Sequence, residues 1–455
     1  MSASTTSQGS DGGGEGLIER LVALATAAGA DAADAVLIRS VALGVQVRQG
    51  KAEELERSES SDVGLRAFVG SRSAIVSATS LDPTRFEALA EQAIAMARVV
   101  PEDRWAGLCD ASVPGIFDAA GLELEDPARP DVAALVARAG TAEAAALAVP
   151  GVANSLGASA SFGRTEIVLV TSRGFSGRYA RTSHAISASV LAGAGTDMQR
   201  DYDYHGVVFL ADLDDPAVIG HSAGERAVAR MHPTKPKTGQ MPVLYDPRVS
   251  GSLLGHLAGA INGSAVARGT SFLKDRMGSR ILREGLHVTD DPRRRRGLRS
   301  RPFDGEGVTT SALVLVEDGI LQSWVLDGRS ARQLGLATNG HAARGPSSPP
   351  GPSTTNLSLS PGALTPPELM ADITEGLYIT EMMGSAVSGI TGDYSRGATG
   401  FMIRNGALAE PVAEITVAGN LLPMLADMTP ANDLNFRRGT DAPTIRIDGM
   451  TVAGA

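Results

Sequence analysis

The chain has 455 residues, of which 43% are hydrophobic and 20% are charged. This composition excludes wholesale disorder, and the length predicts two or three domains. The net charge of −10 argues against a generally basic surface for nucleic acid, and the single cysteine, Cys109, excludes a disulfide framework and a cysteine-based zinc site.

The first 16 residues are rich in Ser, Thr and Gly, and they predict a disordered tail. They have neither the basic nor the apolar region of a secretory signal. No stretch of the chain approaches the roughly 18 consecutive apolar residues of a membrane span. We therefore expect a cytoplasmic protein that does not act at a membrane.

In the first half of the chain, predicted helices and predicted strands follow one another in groups along the sequence. Apolar residues at helical spacing begin at Leu17 and stop at Gly29. Mixed β-branched and polar residues punctuated by Gly predict strands at 36–48, 63–69 and 74–79, and again within 165–210. Further helices are predicted at 83–100, 129–148 and 216–231. This order predicts an α+β domain with an antiparallel sheet and helices over residues 17–235.

A linker is predicted at residues 232–240, which contain two prolines and no strongly apolar residue. After it, a strand at 241–245 precedes the apolar run 250–267, which predicts a buried helix. Strands are then predicted at 287–289, 311–317 and 320–327, followed by a long Pro- and Ser-rich loop at 340–367 and by Gly-separated strands from 385 onward. Residues 241–455 therefore predict a mainly β domain.

The seven histidines offer no local metal site. No two of them lie three or four residues apart, so no single helix presents two imidazoles to one metal ion; they are at positions 184, 205, 221, 232, 256, 287 and 341. Neither a phosphate-binding P-loop nor a Gly-x-Ser-x-Gly nucleophile motif is present. A histidine and carboxylate site assembled from distant segments stays an alternative.

Asp197, Asp201 and Asp203 form a short cluster of carboxylates. Because Asp201 and Asp203 alternate with Tyr202 and Tyr204, a strand would place both carboxylates on one face. We interpret that face as solvated, with the tyrosines turned inwards. A functional carboxylate pair is the alternative.

The run Arg293–Arg296, continued by Arg299 and Arg301, is the densest basic feature of the sequence. A patch for an acidic partner or for nucleic acid is one interpretation. We favour a solvated loop, because acidic residues bracket the run and no aromatic residues are interleaved with it for stacking on bases.

Three segments carry a family resemblance. They are 44–70 (GVQVRQGKAEELERSESSDVGLRAFVG), 245–281 with its Leu253-Leu254 pair, and 384–424, which contains GDYSRGATGF at 392–401 and PVAEITVAGN at 411–420. Together they resemble the PmbA/TldE branch of the TldD/PmbA family over about residues 17–455. The resemblance implies the same two-part fold, with a C-terminal domain of the TldD/PmbA type.

In that family the TldD-type subunit carries H-E-x-x-x-H, in which two histidines hold zinc and the glutamate acts on the attacking water. Aligned on Leu253-Leu254, this chain has Gly255, His256 and Ala260 at those three positions. No cysteine in residues 431–455 supplies a thiolate ligand either. The resemblance therefore implies no cofactor, metal or catalytic residue in this chain, and it places zinc and catalysis in a TldD-type partner.

The resemblance also implies a heterodimeric metalloprotease that acts on unfolded or short peptides, without nucleic acid. The family's named roles are maturation of a microcin-type peptide, turnover of an antitoxin and modulation of DNA gyrase. A shaped, glycine-rich loop is predicted at 392–401, with five candidate residues for contact with the partner or the peptide: Asp393, Tyr394, Ser395, Arg396 and Gly397. An internal turn in which Asp393 and Arg396 pair with each other is the alternative.

Two other functions stay open. One is a stand-alone peptidase with an unrecognised site. The other is a non-enzymatic protein that acts directly on gyrase or DNA through the loop at Arg293–Arg301, which would bind DNA with a steep dependence on salt.

Overall fold

The computed structural model describes residues 13–110 and 118–454. Its helices are α1 (Gly13–Ala27), α2 (Phe86–Val99), α3 (Val132–Leu147), α4 (Pro216–Ala229), α5 (Pro247–Ala260), α6 (Gly263–Ala267), α7 (Gly328–Leu334), α8 (Pro366–Met370) and α9 (Leu421–Asp427). Within those described residues, no helix is both long enough and apolar enough to cross a membrane.

The strands of the first half are β1 (Ala32–Arg48), β2 (Lys51–Val69), β3 (Arg72–Ala78), β4 (Val152–Thr171), β5 (Ser176–Ala192) and β6 (Gln199–Val207). Those of the second half are β7 (Gly239–Tyr245), β8 (Val288–Asp290), β9 (Leu313–Glu317), β10 (Ile320–Leu321), β11 (Ala342–Ala343), β12 (Gly351–Pro352), β13 (Leu357–Leu359), β14 (Glu375–Val387), β15 (Asp393–Arg404), β16 (Ala407–Asn420), β17 (Thr429–Pro430), β18 (Thr440–Asp441) and β19 (Ile445–Ala453).

Strands β1 to β6 form one antiparallel sheet in the order β3-β2-β1-β4-β5-β6. Helices α1 and α2 pack on one end of a face of this sheet, against residues such as Ala35 and Leu37. Helices α3 and α4 pack farther along the same strand, against Val45 and Val47. These four residues of β1 are separated from one another by even numbers of positions. Since successive side chains of a strand point to opposite faces, all four lie on the same face. The predicted α+β fold with an antiparallel sheet is confirmed.

The second half is mainly β, as predicted. Its largest sheet has the order β16-β15-β14-β7-β19-β17, and a further pairing of β16 with β19 closes it on itself. Strand β7 lies between β14, which is parallel to it, and β19, which is antiparallel. A smaller sheet has the order β10-β9-β8-β13-β18.

Helix α5 belongs to the core of this second half. It begins at Pro247 behind Asp246, whose carboxylate accepts a hydrogen bond from the Arg248 amide at 2.8 Å. Leu253, Leu254 and Leu257 are fully buried in the same cluster as the residues of β7 and β19. The apolar spacing that predicts a buried helix is therefore confirmed.

The second half also covers the remaining face of the N-terminal sheet. Phe303 packs with Val36, Leu169 and Phe175 from that face. Next to them, the buried carboxylate of Asp34 binds the guanidinium groups of Arg66 and Arg344, which come from the two halves of the chain. One sheet thus carries its own helices on one side and the C-terminal half on the other.

Three predicted boundaries are wrong. Helix α1 already begins at Gly13, inside the predicted tail, and Glu15 accepts a hydrogen bond from the Ser176 hydroxyl at 2.6 Å; residues 1–12 lie outside the described residues. Strand β2 begins at Lys51 rather than at residue 63. The predicted linker is partly ordered by pairing, since Thr234 bridges to Val412 and β7 begins at Gly239.

The region from 320 to 430 also differs in detail from its prediction. The strand predicted at 320–327 is only Ile320–Leu321, and the loop predicted at 340–367 contains the short strands β11, β12 and β13. Helices α7, α8 and α9 are absent from the prediction. The sheets divide the chain into residues 32–207 and 239–453, while the domain limits 17–235 and 241–455 stay a prediction.

Candidate functional site

Helix α5 presents the three positions that correspond to a zinc motif. Gly255 is exposed, and a Cβ atom placed there would meet no atom within 4 Å. Gly259 is equally open, whereas Ala260 is buried. Of the three glycines of α5, Gly251 is the one that packs tightly, since a Cβ there would lie 2.6 Å from the Thr440 carbonyl oxygen.

His256 lies half-buried on α5 and has an unusual environment. Its Nε2 atom is buried and has no hydrogen-bond partner among the described residues. The ring stands edge-on to that of Tyr394, with 5.8 Å between the centroids. Burial, and secondarily the positive charge of Arg396, lowers the pKa of His256. The neutral imidazole is thus the favoured form.

These residues do not fit a zinc ion. Gly255 and Ala260 have no ligand atoms, and a lone histidine does not complete a site that needs about three protein ligands. Across residues 13–110 and 118–454, no group of three or more His, Cys, Asp or Glu side chains is placed to hold a metal. No catalytic step through zinc follows from this chain.

The predicted loop at 392–401 is instead the start of strand β15. The turn lies at residues 389–391 and is followed by Gly392, which has a φ of +81°, and pairing with β14 and β16 begins at the next residues. Asp393 accepts hydrogen bonds from Thr391 Oγ1 at 2.7 Å and from Asn420 Nδ2 at 3.2 Å. The predicted shaped loop is therefore wrong, and the structure does not show the alternative either, since Asp393 does not pair with Arg396.

The five candidate residues of β15 have different environments. Tyr394 is 2% exposed, and burial raises its pKa to about 12. Ser395 and Gly397 are half-buried within the sheet, paired with Ala418 and Thr416 of β16. Arg396 makes no hydrogen bond with its side chain among the described residues, and its Nε atom is buried. Of the five, Arg396 lines a cleft.

This cleft has a volume of about 370 Å³ and lies between α5, β14 and β15. We call it the arginine cleft, because its lining includes Arg248, Arg299, Arg396 and Arg438, together with Tyr202, Glu381, Met382 and the Gly251-Ser252 step of α5. Sequence reasoning singled out Arg396 and placed Arg299 in the basic run, but it missed Arg248 and Arg438. No local signal could find them, because the four come from distant segments.

Asp201 lies beneath this cleft and is almost fully buried. Arg248 Nη2 donates to its Oδ1 at 2.6 Å, and Arg230 Nη1 lies 3.2 Å from its Oδ2. Burial opposes ionisation of Asp201, but the hydrogen bond and charge of Arg248 outweigh it, so its pKa lies below the usual value. The interpretation of a solvated Asp201 face with inward tyrosines is wrong, since Tyr204 is the exposed residue.

The basic run is not a freely solvated loop. Arg295 and Arg296 each bind the Glu123 carboxylate at 2.6 Å, and Arg296 also binds Asp212 at 3.0 Å. The Arg294 guanidinium lies 3.4 Å from the centre of the Phe436 ring. The run therefore fastens the C-terminal half to the N-terminal half, which corrects the sequence interpretation.

A larger groove of about 830 Å³ lies between β3, α2 and the segment Pro346-Ser347. Its lining is mostly apolar or neutral, with Asp62 and Arg85 as its charged residues. No residue of α5 or β15 lines it. The arginine cleft, which adjoins both elements, is therefore the stronger candidate site.

Comparison with known proteins identifies the family of this chain over most of its length. Models of the PmbA/TldA metallopeptidase domain 1, central domain and C-terminal domain match residues 33–97, 125–231 and 238–454. The metalloprotease PmbA of Escherichia coli O157:H7 is 35% identical over 93% of this chain and 92% of its own length. The chain belongs to the TldD/PmbA family.

Other members support this assignment. A PmbA homolog of Haemophilus influenzae is 34% identical over 95% of this chain and 94% of its own, whereas a TldD homolog of that organism is 25% identical over 54% and 55%. A Bacteroides thetaiotaomicron crystal structure, described as a candidate modulator of DNA gyrase, has a TM-score of 0.88 at 25% identity and 97% and 98% coverage. TldE of Thermococcus kodakarensis shares the fold, with a TM-score of 0.85 at 19% identity and 96% and 100% coverage.

Proposed function

We propose that this chain is the TldE-type subunit of a heterodimeric zinc metallopeptidase, in which a TldD-type chain holds the zinc and cleaves the peptide. The observation that carries this proposal is the surface of α5. At the positions of the two histidines and the glutamate, Gly255 is open to solvent, Ala260 is buried, and His256 belongs to no group of three or more metal-binding side chains within residues 13–110 and 118–454.

The pattern of similarity supports the same assignment. The relatives named PmbA match nearly the full length of the chain, while the relative named TldD matches about half of it at lower identity. A chain that keeps the fold but not the ligands can still form one wall of a shared cavity. Its contribution would be to position the peptide and to exclude water from the partner's zinc.

The substrates we expect are unfolded or short peptides, in the cytoplasm. A cavity between two subunits admits an extended chain more readily than a folded protein, and an extended chain can be held by main-chain pairing to a strand edge. The specific roles in microcin-type peptide maturation, antitoxin turnover and gyrase modulation stay predictions.

Co-expression tests the proposal. This chain would be produced alone, and together with a TldD-type chain from the same genome, and each preparation would be assayed for zinc and for cleavage of an unstructured peptide. We expect the isolated chain to contain well under one zinc and to cleave nothing. The pair should co-purify and should cleave in a chelator-sensitive manner.

The matched control is a TldD-type chain in which the motif glutamate is replaced by glutamine, which should co-purify without cleaving. Stoichiometric zinc and chelator-sensitive cleavage in the isolated chain would establish a stand-alone peptidase instead. Steeply salt-dependent DNA binding that is lost when Arg293 and Arg295 are replaced by alanine would favour the DNA-binding alternative.

A further inference from the structure

The arginine cleft contains three guanidinium groups that have no acidic partner. Among the described residues, the Arg299 guanidinium donates to Thr440 Oγ1 at 3.2 Å, and the Arg438 guanidinium donates to Tyr204 Oη at 2.9 Å and to the Pro247 carbonyl at 3.3 Å. The Arg396 side chain makes no hydrogen bond to any of the described residues. In the part of the chain that the structure describes, no carboxylate lies within 4.0 Å of any of the three, although the structure contains many other arginine–carboxylate pairs.

The other charges of the cleft are already matched. Arg248 is bound to Asp201 at 2.6 Å. Glu381, the acidic residue of the lining, accepts from Arg200 and from Arg230 at 2.6 Å each. The cleft therefore presents about three unmatched positive charges. This is unexpected in a chain with 51 acidic and 41 basic residues, in which carboxylates are plentiful.

Of the three arginines, Arg396 has a buried hydrogen-bond donor without an acceptor in the described part of the chain. Its Nε–H is removed from solvent and donates to no atom of the described residues. A buried donor without an acceptor is rare, because it has lost its hydrogen bonds to water and gained none. Packing the like charges of Arg299 and Arg438 around the same cleft adds to the cost. A ligand that supplies negative oxygen atoms would remove both penalties.

We propose that the arginine cleft binds carboxylate groups of an acidic peptide. The planar guanidinium fork matches a carboxylate through two parallel hydrogen bonds. A volume of about 370 Å³ accommodates one or two side chains, and Met382 and the Gly251-Ser252 step of α5 provide uncharged surface beside them. Nucleic acid is disfavoured relative to such a peptide, because a protein of net charge −10 repels a ligand with a charge at every phosphate more strongly than a peptide with one or two carboxylates.

This inference rests on the proposed function in one respect: it names acidic peptides as the substrates that this subunit would position. Its test uses the full chain alone. The probes are two fluorescein-labelled hexapeptides with amidated C-termini, one with two glutamates and the other with glutamines in their place. Binding would be measured by fluorescence anisotropy at constant salt.

We expect the glutamate peptide to bind about tenfold more tightly than the glutamine peptide, as the loss of one charge-assisted contact predicts. Arg396→Ala and Arg299→Ala should each remove most of this preference and leave the glutamine peptide unaffected. Arg268→Ala is the matched control, because Arg268 is exposed, has no ion pair among the described residues and lies outside the cleft. It should change neither affinity.

Thermal melting would confirm that the variants are folded, and the exposed Arg299 keeps the test valid if Arg396→Ala melts early. Equal affinity for the two peptides, or a preference that survives both cleft variants, would overturn the proposal. The proposal would also be overturned if an oligonucleotide bound more tightly than the glutamate peptide and if this binding were lost in the same two variants. Failure to form a complex with a TldD-type chain would leave these affinities unchanged, so the two proposals fail independently.

Discussion

Glu306 is a carboxyl group buried among other charges where the two halves of the chain meet. It is 3% exposed, and its oxygen accepts a hydrogen bond from the Gly328 amide at 2.6 Å. Burial, together with the negative charge of Asp304, raises its pKa from 4.5 to about 7. The folded protein therefore holds this proton over a pH range in which the unfolded chain has released it.

This shift makes a prediction about stability and pH. The stabilisation from the raised pKa is fully present below about pH 4.5 and is lost as the pH rises through 7. Glu306→Gln removes the titration while keeping an acceptor for Gly328. Relative to the parent, the variant should therefore gain roughly 2–3 kcal/mol of unfolding free energy between pH 5 and pH 8.

Urea denaturation of both proteins at several pH values would measure this difference. Glu317→Gln, at an exposed glutamate on β9, is the control and should show no such trend. A difference between Glu306→Gln and the parent that is the same at pH 5 and pH 8 would contradict the prediction.

At the scale of the elements, helix α4 approaches α3 closely at Gly220 and Gly224, and the approach is tightest at Gly220. A Cβ atom at Gly220 of α4 would lie 1.9 Å from the Ala142 carbonyl oxygen of α3. Backbone cannot move away as a flexible side chain can, so the two helices would have to separate. Small residues at such contacts explain how a chain with 4% aromatic residues builds a close-packed core.

We predict that Gly220→Ala lowers the free energy of unfolding by about 1–3 kcal/mol, through overpacking. Gly140→Ala on α3 is the matched control, because a Cβ there meets no atom within 4 Å. It should raise stability by about 0.5–1 kcal/mol, as alanine is the better helix former. Chemical denaturation of both variants measures the effects, and two changes of the same sign would show that the close approach is not decisive.

The elements that sequence could predict are those with one buried face. Helices α1 to α4 and the inner parts of β1, β4 and β5 have apolar residues at regular spacing. Strand β2 shows where this fails: residues 51–60 are exposed and pair only with β1, so neither face imposes an apolar pattern. Its charged sequence, KAEELERSES, is held in the strand by backbone pairing alone. No periodicity could reveal it.

At the scale of the whole molecule, the candidate site also shows how far the sequence alone can predict the structure. Arg396 stood out in the sequence because it lies in a long shared motif. Its companions Arg248, Arg299 and Arg438 are brought to it by helix α5, by the segment after β8 and by the segment before β18. Likewise, Asp201 looked solvated because the cover on its strand comes from the other half of the chain. Long-range burial has no local signature.

Asp201 joins the two halves of the chain through its ion pair with Arg248, and we predict the effect of replacing it. Asp201→Asn would leave Arg230 and Arg248, whose side chains are less than a tenth exposed, without their shared countercharge. We expect a loss of about 2–4 kcal/mol of unfolding free energy, since a buried ion pair is costly to break from one side.

Asp203→Asn is the matched control on the same strand. Asp203 pairs with Arg226, whose side chain is 36% exposed, so solvent screens the pair and the loss should stay within about 1 kcal/mol. Thermal and urea unfolding of the two variants would test this, and similar losses in both would contradict a special role for Asp201.

The position of β7 between β14 and β19 has a consequence for biosynthesis. β7 ends at Tyr245 and its second neighbour begins at Ile445, so a ribosome that adds about 5–20 residues per second needs roughly 10–40 s to supply it. Throughout that interval one side of β7 has unpaired amide and carbonyl groups, which are a template for pairing with another nascent chain. The closed sheet thus forms only after β19 has been translated, and until then the half-made chain is exposed to aggregation.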